Sequence, residues 1–361
     1  MRILFVLEHF HPYVGGAEEL FLSLARKLVQ NGHRVDVVTT LFDKRLPAKE
    51  ITDGIHIERI RCGNRFLFTL QSIPAVIRKA RHADIVHTTS YNAAFPAWVG
   101  AVIRGKKTVI TFHEVWGRLW FELPFLNAIQ RALYYTFERF ILLLPFTRFV
   151  AVSAFTRKAL ADAGVKLARI SQVYNGIDQQ EQAVQSERDP GHFTFCYFGR
   201  LGVSKGLDIL LPAFAMMFRH RRDVRLKLII PKYPEPLFRY TQKIIEAEGL
   251  AGSVSLHHDL PKTELMKEVK SSDCVVIPSY SEGFCFTAVE AGVWGVPVIS
   301  SGKGALQETV GGKHITFERM NPDDLYEAMQ AAYSGEWKDA PAKKFTLNDC
   351  VEGYLNVYKN L

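Results

Sequence analysis

The chain has 361 residues, of which 48% are hydrophobic and 23% charged, and its formal net charge is +8. This length suits two domains with separate cores, and the composition excludes a disordered protein. Residues 1–180 hold 24 Lys and Arg against 14 Asp and Glu, a net +10, whereas residues 181–361 hold 21 against 23, a net −2. The asymmetry points to an anionic partner of the first half, either a membrane surface or nucleic acid, or to a basic surface with no particular partner.

The cysteines and the lengths of the apolar runs bear on the cellular compartment of the protein. Its five cysteines are scattered and form no CxxC pair, which argues for a reducing compartment and against a structural zinc site. The N-terminal apolar run, Ile3 to Leu7, is too short for the core of a signal peptide. The longest apolar stretch, Phe140 to Phe146, is far shorter than a membrane span. We therefore expect a cytosolic protein.

The first 180 residues alternate between strand and helix patterns. A buried strand at Arg2 to Leu7 precedes a helix at Ala17 to Gln30 and a strand at Arg34 to Thr40. Gly15 and Gly16 stand just before the helix, where glycines let backbone N–H groups approach an anion, although a plain turn needs the same residues. Four further strands are predicted, at Ile85 to Thr88, Thr108 to Phe112, Phe149 to Val152 and Ser171 to Tyr174. The alternation predicts a parallel, doubly wound sheet.

His113 and Glu114 directly follow one of these strands. Ligands of doubly wound sheets bind at the carboxyl ends of the strands. A lone histidine is usually structural, but this position makes His113 a candidate functional residue.

Residues 117–146 combine aromatic, apolar and basic side chains. The apolar positions recur near helical spacing, at Leu126, Ile129, Leu133, Phe137, Phe140 and Leu144. Arg118, Arg131 and Arg139 lie among them. One interpretation is an amphipathic surface that touches lipid or a lipid-linked acceptor, with Trp120 and Arg131 among the contacts. The alternative is a helix that packs on the sheet through a broad apolar face.

A polar stretch, Gln179 to Gly191, has no apolar period and is predicted to be a linker. A second series of strands and helices follows, beginning with a strand at Phe193 to Phe198 and a helix at Leu207 to about Phe218. Arg200 and Lys205 lie between that strand and that helix, in a glycine-rich loop. Both side chains suit phosphate, although a solvated turn can carry the same residues. The spacing does not match a Walker A loop, which disfavours an ATPase.

The most informative stretch is Pro278 to Ser300, predicted as a loop, a short helix at Thr287 to Val293 and a strand at Val296 to Ser300. Its loop-to-helix junction offers helix N-terminal N–H groups to phosphate. Glu282 and Glu290 flank this junction, and carboxylates can accept hydrogen bonds from sugar hydroxyls. Eight helical residues would separate them by about 12 Å, so a hydrolytic pair of carboxylates is disfavoured. The stretch points to a ligand with both phosphate and sugar; the alternative is an ordinary βαβ unit with a solvated Glu290.

These features together resemble the retaining glycosyltransferases of family GT4. The resemblance runs from Gly15-Gly16 through His113, VYNGID (173–178), FGRLGVSKGLDIL (198–210) and the SEGF segment to the tail FTLNDCVEGYLNVYKNL. It implies an α/β protein of the GT-B fold, in which two Rossmann-like, doubly wound domains face an interdomain cleft. The acceptor domain would span residues 1–180 and the nucleotide-sugar donor domain residues 192–344. A C-terminal helix within 345–361, with Leu355 and Tyr358 on one face, would cross back to the first domain.

The resemblance also assigns roles to individual residues. Arg200 and Lys205 would bind the donor diphosphate with the amide of Gly16, Glu282 would bind the transferred sugar, and Glu290 the ribose. His113 would act at the sugar and the acceptor, so the catalytic candidates are His113, Glu282, Arg200 and Lys205. The donor-binding set is Gly15, Gly16, Arg200, Lys205, Glu282, Gly283, Phe284, Cys285, Phe286, Thr287 and Glu290. Relatives often have Gly-Leu in place of Cys285-Phe286, which puts the fit of the sugar pocket in question.

The predicted function is retaining transfer of a hexose from a UDP- or GDP-sugar to a lipid-linked or cell-surface glycan acceptor. We expect no cofactor and no metal, since the family generally needs none and a DxD motif is not apparent. The expected partners are the nucleotide-sugar donor, the glycan or glycolipid acceptor and, through the basic first half, the cytoplasmic face of a membrane, but not nucleic acid. The alternatives are a GT-B nucleotide-sugar epimerase or hydrolase, and a basic protein that binds nucleic acid or an anionic surface.

Overall fold

The computed structural model describes residues 1–13, 15–178 and 186–361. Seven residues of the predicted linker, 179–185, lie outside this range. The chain divides into two compact units. The first unit comprises Met1–Glu122, Leu126–Asp178 and Phe345–Leu361, and the second comprises Leu123–Phe125 and Gln179–Lys344.

Strands and helices alternate through both units. The strands are β1 Arg2–Val6, β2 Arg34–Thr40, β3 Lys49–Thr52, β4 Ile55–Ile60, β5 Ile85–Thr89, β6 Lys107–Phe112, β7 Arg148–Ala151, β8 Ile170–Gln172, β9 Phe193–Phe198, β10 Val224–Ile229, β11 Val254–His257, β12 Cys274–Ile277, β13 Val298–Ser300, β14 Gly312–Thr316 and β15 Lys338–Ala340. The α-helices are α1 Gly16–Gln30, α2 Arg65–Gln71, α3 Ile73–Ala80, α4 Ala94–Ile103, α5 Ala128–Leu143, α6 Ala154–Asp162, α7 Leu207–His220, α8 Glu235–Ala247, α9 Lys262–Lys270, α10 Phe286–Val293, α11 Leu306–Thr309, α12 Pro322–Tyr333 and α13 Leu347–Lys359.

The sheet of the first unit has the order β3-β4-β2-β1-β5-β6-β7-β8. Its pairs are parallel except β3 with β4. Strand β2 pairs with one edge of β1, and β5, which comes later in the chain, pairs with the other edge. The strand order therefore reverses between β1 and β5, and the crevice at such a reversal is where ligands of doubly wound sheets bind.

The sheet of the second unit has the order β11-β10-β9-β12-β13-β14-β15, and only β14 with β15 is antiparallel among its pairs. Here the order reverses between β9 and β12. The loop with Arg200 and Lys205 follows β9, and the loop with Glu282 follows β12, so both predicted donor loops leave the sheet at its switch point. The predicted class, two doubly wound α/β domains, is confirmed.

Most predicted strands agree with the structure to within one or two residues at each end. The strand predicted at Val296 to Ser300 begins only at Val298. The Val296 N–H donates to the Ala291 carbonyl at 2.9 Å and so completes the turn after α10, while Pro297 has no N–H to donate. Strands β3, β4, β14 and β15 were not predicted.

The C-terminal helix α13 belongs to the first unit, where its tyrosines contact side chains of β5 and β6. The ring of His87 lies 2.6 Å from the Tyr358 hydroxyl through Nδ1 and 2.8 Å from Thr111 Oγ1 through Nε2. Thr111 Oγ1 in turn lies 3.1 Å from the Tyr354 hydroxyl. Tyr354 and Tyr358 are buried, whereas Leu355, predicted to share a face with Tyr358, is half-buried. None of the described helices is both long and apolar enough to cross a membrane.

Candidate functional site

The candidate site in the second unit centres on Glu282, whose side chain is buried in the loop between β12 and α10. Its Oε1 lies 2.7 Å from Lys205 Nζ and accepts a hydrogen bond from Ser279 Oγ at 2.6 Å. Two residues predicted to bind the donor, Lys205 and Glu282, are therefore in direct contact, although 77 positions separate them. Ser279 was not predicted, and its position three residues before Glu282 is too common a spacing to have identified it.

Backbone contacts fix the two loops to each other. The Tyr280 N–H donates to the Ser204 carbonyl at 2.8 Å, which joins the loop after β12 to the loop after β9. Gly206 has a φ of +71°, and a Cβ there would lie 1.9 Å from the Pro278 carbonyl oxygen. Only glycine fits so close a contact in a left-handed conformation. Gly206 therefore serves the close approach of the two loops.

A second glycine shapes the loop from the other side. Gly304 has a φ of +66°, and a Cβ there would lie 2.3 Å from the Glu282 carbonyl oxygen. The same oxygen accepts the Ala305 N–H at 2.7 Å. Glu282 is thus held by its side chain through Lys205 and Ser279 and by its backbone through the segment at Gly304. Such bracing restricts the carboxylate to one position.

Arg200 completes the cationic loop and is exposed to solvent. Its carbonyl oxygen accepts a hydrogen bond from the buried Tyr197 hydroxyl at 3.1 Å, which holds the backbone of the loop and leaves the guanidinium at the surface. Burial, with the Glu282 carboxylate nearby, raises the pKa of Tyr197 well above its usual value, so this phenol stays a hydrogen-bond donor. An exposed guanidinium beside a switch point suits a phosphate ligand.

The helix α10 begins at Phe286, directly after the Glu282 loop. Its N-cap, Cys285, has a φ of +74°, a left-handed conformation that a side chain adopts at a cost of roughly 1–2 kcal/mol. Glycine would adopt the same conformation without this strain. Thr287 Oγ1 donates to the Phe198 carbonyl at 3.4 Å and ties the helix to the end of β9. The amides of Phe286 and Thr287 start the helix and so are suited to an anion.

Glu290 lies one turn further along α10 and is paired with Lys262, whose Nζ is 2.7 Å from its Oε1. The Glu290 side chain is only 15% exposed, whereas Lys262 is 66% exposed. An exposed lysine can release a carboxylate at little cost, so the pair is compatible with the predicted binding of ribose hydroxyls.

The remaining predicted residues lie in the first unit. Gly15 caps α1 with an extended backbone, and its carbonyl oxygen accepts the Glu19 N–H at 2.9 Å. His113 is half-buried directly after β6, with its ring edge-on to Phe21 at 6.2 Å between centroids. His113 and the glycine pair therefore belong to one unit, and the Lys205–Glu282 pair belongs to the other.

A buried carboxylate that the sequence did not reveal anchors the segment after His113. Glu138, on the inner face of α5, accepts the Trp116 N–H at 3.0 Å and the Gly117 N–H at 2.7 Å. It also accepts the Trp120 indole N–H at 3.3 Å. Burial raises the pKa of Glu138, although these hydrogen bonds favour its ionised form. The available signal was a single carboxylate in a helix whose other charged residues are both arginines.

The two side chains that were expected to touch lipid are both covered by protein to some degree, Trp120 fully and Arg131 by about half. Trp120 is buried against Glu138 and lies beside Trp116, with ring centroids 4.4 Å apart and planes tilted by 51°, so its prediction as a lipid contact is wrong. The outer face of α5, by contrast, leaves apolar side chains in solvent. The exposed fractions are 72% for Ile129, 61% for Leu133, 42% for Phe140 and 75% for Leu143. These positions do not pack on the sheet, whereas Phe137 and Leu144, which the sequence placed in the same apolar pattern, pack in the core of the first unit.

The chain matches two family models that together cover most of its length. Residues 14–181 match the model for Glycosyltransferase Family 4, and residues 178–346 match the model for glycosyl transferases group 1. A GDP-mannose:cellobiosyl-diphosphopolyprenol alpha-mannosyltransferase of Xanthomonas oryzae pv. oryzae is 29% identical over 309 residues, which cover 83% of this chain and 78% of that protein. A D-inositol 3-phosphate glycosyltransferase of Paenarthrobacter aurescens is 23% identical and covers 88% of this chain and 84% of its own.

Solved structures show the same fold over the whole chain. Sucrose-phosphate synthase from Thermosynechococcus elongatus superposes with a TM-score of 0.83 at 20% identity and covers 99% of this chain and 98% of its own. The Anabaena protein HepE, in complex with UDP-glucose, superposes with a TM-score of 0.78 at 17% identity and full coverage of both chains. The chain therefore belongs to the GT4 family of glycosyltransferases and has the GT-B fold, with two Rossmann-like domains.

Proposed function

We propose that this glycosyltransferase moves a mannose-type hexose from a GDP-sugar to a polyprenol-diphosphate-linked saccharide, with retention of the anomeric configuration. The observation that carries the proposal is the contact between Lys205 and Glu282 at the switch point of the second sheet. The choice of donor and acceptor is supported by two Xanthomonas relatives, each 29% identical, whose names specify GDP-mannose and a diphosphopolyprenol acceptor.

The donor diphosphate would bind to Arg200, Lys205 and the first amides of α10. Breaking the sugar–phosphate bond leaves negative charge on the departing diphosphate, and fixed cations stabilise that charge in the transition state. Lys205 can contact Glu282 and a phosphate group at the same time, because its ammonium group has three N–H donors. No metal is needed in this scheme, because the two cations supply the charge.

Glu282 would bind hydroxyl groups of the transferred sugar, with its orientation fixed by Ser279 and by the backbone at Gly304. A carboxylate that is buried, paired with lysine and braced in this way is suited to positioning a substrate. Retention would then follow from attack on the same face as the departing phosphate, which takes the proton of the acceptor hydroxyl. His113 would act at the transferred sugar, in the role that the family resemblance assigns to it.

The outer face of α5 supports contact with a bilayer, where a polyprenol-linked acceptor resides. Four large apolar side chains stand exposed on one helix, in a half of the chain with net charge +10. Such a combination favours binding at an anionic membrane surface. We expect replacement of Ile129, Leu133 and Leu143 by Ser to reduce co-sedimentation with phosphatidylglycerol vesicles. Ile51→Ser, at a residue 66% exposed in β3, is the matched control. Equal co-sedimentation of the triple variant and the control would refute the contact.

The activity is tested by incubating the protein with GDP-mannose and a short-chain prenyl-diphosphate-linked cellobiose. We expect acceptor-dependent formation of a mannosylated lipid with an α linkage by NMR. UDP-glucose and ADP-glucose are the comparison donors. Donor consumption that is the same with and without acceptor would instead indicate a hydrolase or epimerase. Product formed from UDP-glucose but not from GDP-mannose would refute the donor assignment and leave the transferase intact.

A further inference from the structure

A tyrosine in the loop between β12 and α10 is hydrogen-bonded to the first turn of α7. The Tyr280 hydroxyl donates to Asp208 Oδ2 at 2.8 Å, although 72 positions separate the two residues. Asp208 is the second residue of α7, which begins at Leu207. The Tyr280 N–H also donates to this part of the chain, to the Ser204 carbonyl at 2.8 Å. Tyr280 is therefore bound to the segment 204–208 through both its backbone and its side chain.

Both members of the Lys205–Glu282 pair lie next to this contact in the chain. Lys205 stands three residues before Asp208, and Glu282 stands two residues after Tyr280. Helix α7 is anchored in the core of the second unit by its buried apolar side chains, and the Tyr280 ring packs against the same core. Both loops are thus tied to the first turn of one anchored helix. That turn fixes where the Glu282 carboxylate lies relative to the Lys205 ammonium group.

Asp208 is placed where its carboxylate is costly to the fold. Its Oδ1 is buried and has no hydrogen-bond partner among the described residues. Burial raises the pKa of Asp208 above its ordinary value. A buried acceptor without a donor lowers stability and is uncommon in native proteins. The helix dipole does not account for the burial, because an exposed carboxylate in the first turn of α7 would gain the same interaction. The contact with Tyr280 does account for it.

We propose that Asp208 and Tyr280 are positioning residues for transfer, whose hydrogen bond holds the Glu282 carboxylate in the place that the transferred sugar requires. The inference rests on the proposed function, in which Lys205 and Glu282 bind the donor. Neither Asp208 nor Tyr280 needs to touch the substrate. Loss of their bond leaves the Ser204 contact in place, so the two loops stay joined while the Glu282 loop gains freedom. Small displacements of a positioning group lower turnover.

The variant Tyr280→Phe removes the hydroxyl group and keeps the ring. We expect kcat for acceptor mannosylation to fall about tenfold, because one hydrogen bond to a carboxylate is lost. GDP-mannose, which carries the sugar that Glu282 binds, should bind more weakly by a similar factor, whereas GDP should bind as it does to the wild type. Asp208→Asn should keep most of the activity, because the amide oxygen can still accept the Tyr280 hydroxyl. A purely structural bond would lower the melting temperature without changing kcat or the ratio of the two affinities.

Tyr333→Phe is the matched control. The Tyr333 hydroxyl donates to Asp223 Oδ2 at 2.5 Å, at the amino end of β10 and away from the donor loops. This variant loses the same kind of bond and should keep the kcat and both affinities of the wild type. If Tyr280→Phe does not fold, Tyr280→Phe combined with Asp208→Ala gives the same test, since removal of both partners leaves no carboxylate buried without a donor.

Hydrogen exchange of the protein without ligand tests the contact independently of catalysis. Exchange in the peptide 279–285 should be about tenfold faster in Tyr280→Phe than in the wild type and unchanged in Tyr333→Phe. Equal exchange in all three proteins, or faster exchange with unchanged kcat and unchanged GDP-mannose affinity, would overturn the proposal. Faster exchange with a loss of affinity for GDP-mannose but not for GDP supports it. If the wild type then transfers no mannose to the acceptor, the proposed function alone is refuted.

Discussion

Gly304→Ala tests how strictly the structure positions Glu282. The added methyl would lie 2.3 Å from the Glu282 carbonyl oxygen and 2.7 Å from its nitrogen, and both are backbone atoms that cannot rotate away. Restoring an ordinary contact of roughly 3.5 Å requires the backbone at Glu282 to retreat by about 1 Å. The left-handed φ of +66° adds roughly 1–2 kcal/mol of strain in a residue with a side chain.

The expected result follows from these two quantities. A displacement of about 1 Å at a positioning group can reduce turnover on the order of a hundredfold. We therefore expect kcat for transfer to fall by about ten- to a hundredfold, with the variant folded but lower in melting temperature. The assay is the initial rate of acceptor mannosylation at saturating GDP-mannose, with the melting temperature measured on the same sample.

Gly292→Ala is the matched control. Gly292 lies within α10, close along the chain to the same loop, and a Cβ there would meet nothing within 4 Å. Alanine is also the better helix former, by roughly 1 kcal/mol at most. This variant should retain full activity and equal or higher stability. A Gly304→Ala enzyme with unchanged kcat would show that the position of Glu282 does not limit the reaction, and the reasoning would be refuted.

Three further predictions concern other parts of the structure. Burial lowers the pKa of His87 from 6.5 to about 3, so the unfolded chain takes up a proton that the folded chain excludes, and stability is lost as the pH falls below 6.5. Between pH 7.5 and 5.5 the free energy of unfolding of the wild type, measured with urea, should fall by about 1.4 kcal/mol because of His87. The variant His87→Gln should not show this fall. If the free energy of unfolding depends on pH in the same way in both proteins, the assignment to His87 is contradicted. In Glu138→Gln the segment after His113 loses charge-assisted hydrogen bonds to its backbone, so the KM for acceptor should rise or kcat should fall while GDP-mannose binding stays constant. If the variant has the same kinetics as the wild type, Glu138 is needed only for folding. Dialysis against EDTA should leave activity unchanged, since Arg200 and Lys205 supply the positive charge; loss of activity that Mg²⁺ or Mn²⁺ restores would refute metal independence.

The architecture was predictable because strands of parallel sheets are buried on both faces and appear as short apolar runs. The sequences RILFV and FTFCYF both have this form, and each became a central strand. Strands β3, β14 and β15 were missed because none of their residues is fully buried, so their sequences have no apolar signature. Strand β4 was missed because the buried Glu58 and Arg59 interrupt its apolar run. The start of β13 was misplaced because Val296 is apolar, yet its N–H completes the turn after α10.

Within the site, the residue types were predictable but their contacts were not. Arg200, Lys205, Glu282 and Glu290 stood out because charged residues beside glycines and helix starts suit phosphate and sugar. The pairing of Lys205 with Glu282 joins loops 77 residues apart, and only the sheet order brings those loops together. Pairing of Glu290 with Lys262 is hidden for the same reason. Trp120 was predicted to contact lipid because its neighbours in the sequence are apolar. In the structure its indole N–H instead donates a hydrogen bond to the buried Glu138, 18 residues later in the chain.

The most direct test of the account is calorimetric titration of GDP-mannose, UDP-glucose and ADP-glucose into the wild type, Lys205→Met and Arg200→Met. Arg200 is exposed, so its replacement puts the fold at little risk and supports any conclusion drawn from Lys205. A charge-assisted contact to phosphate contributes roughly 1.5–3 kcal/mol, so each variant should bind the preferred donor at least about tenfold more weakly. GDP-mannose bound by the wild type and weakened in both variants is the predicted result. Unchanged affinity in both folded variants, or no binding of any nucleotide sugar by the wild type, would contradict a donor site at the Lys205–Glu282 pair.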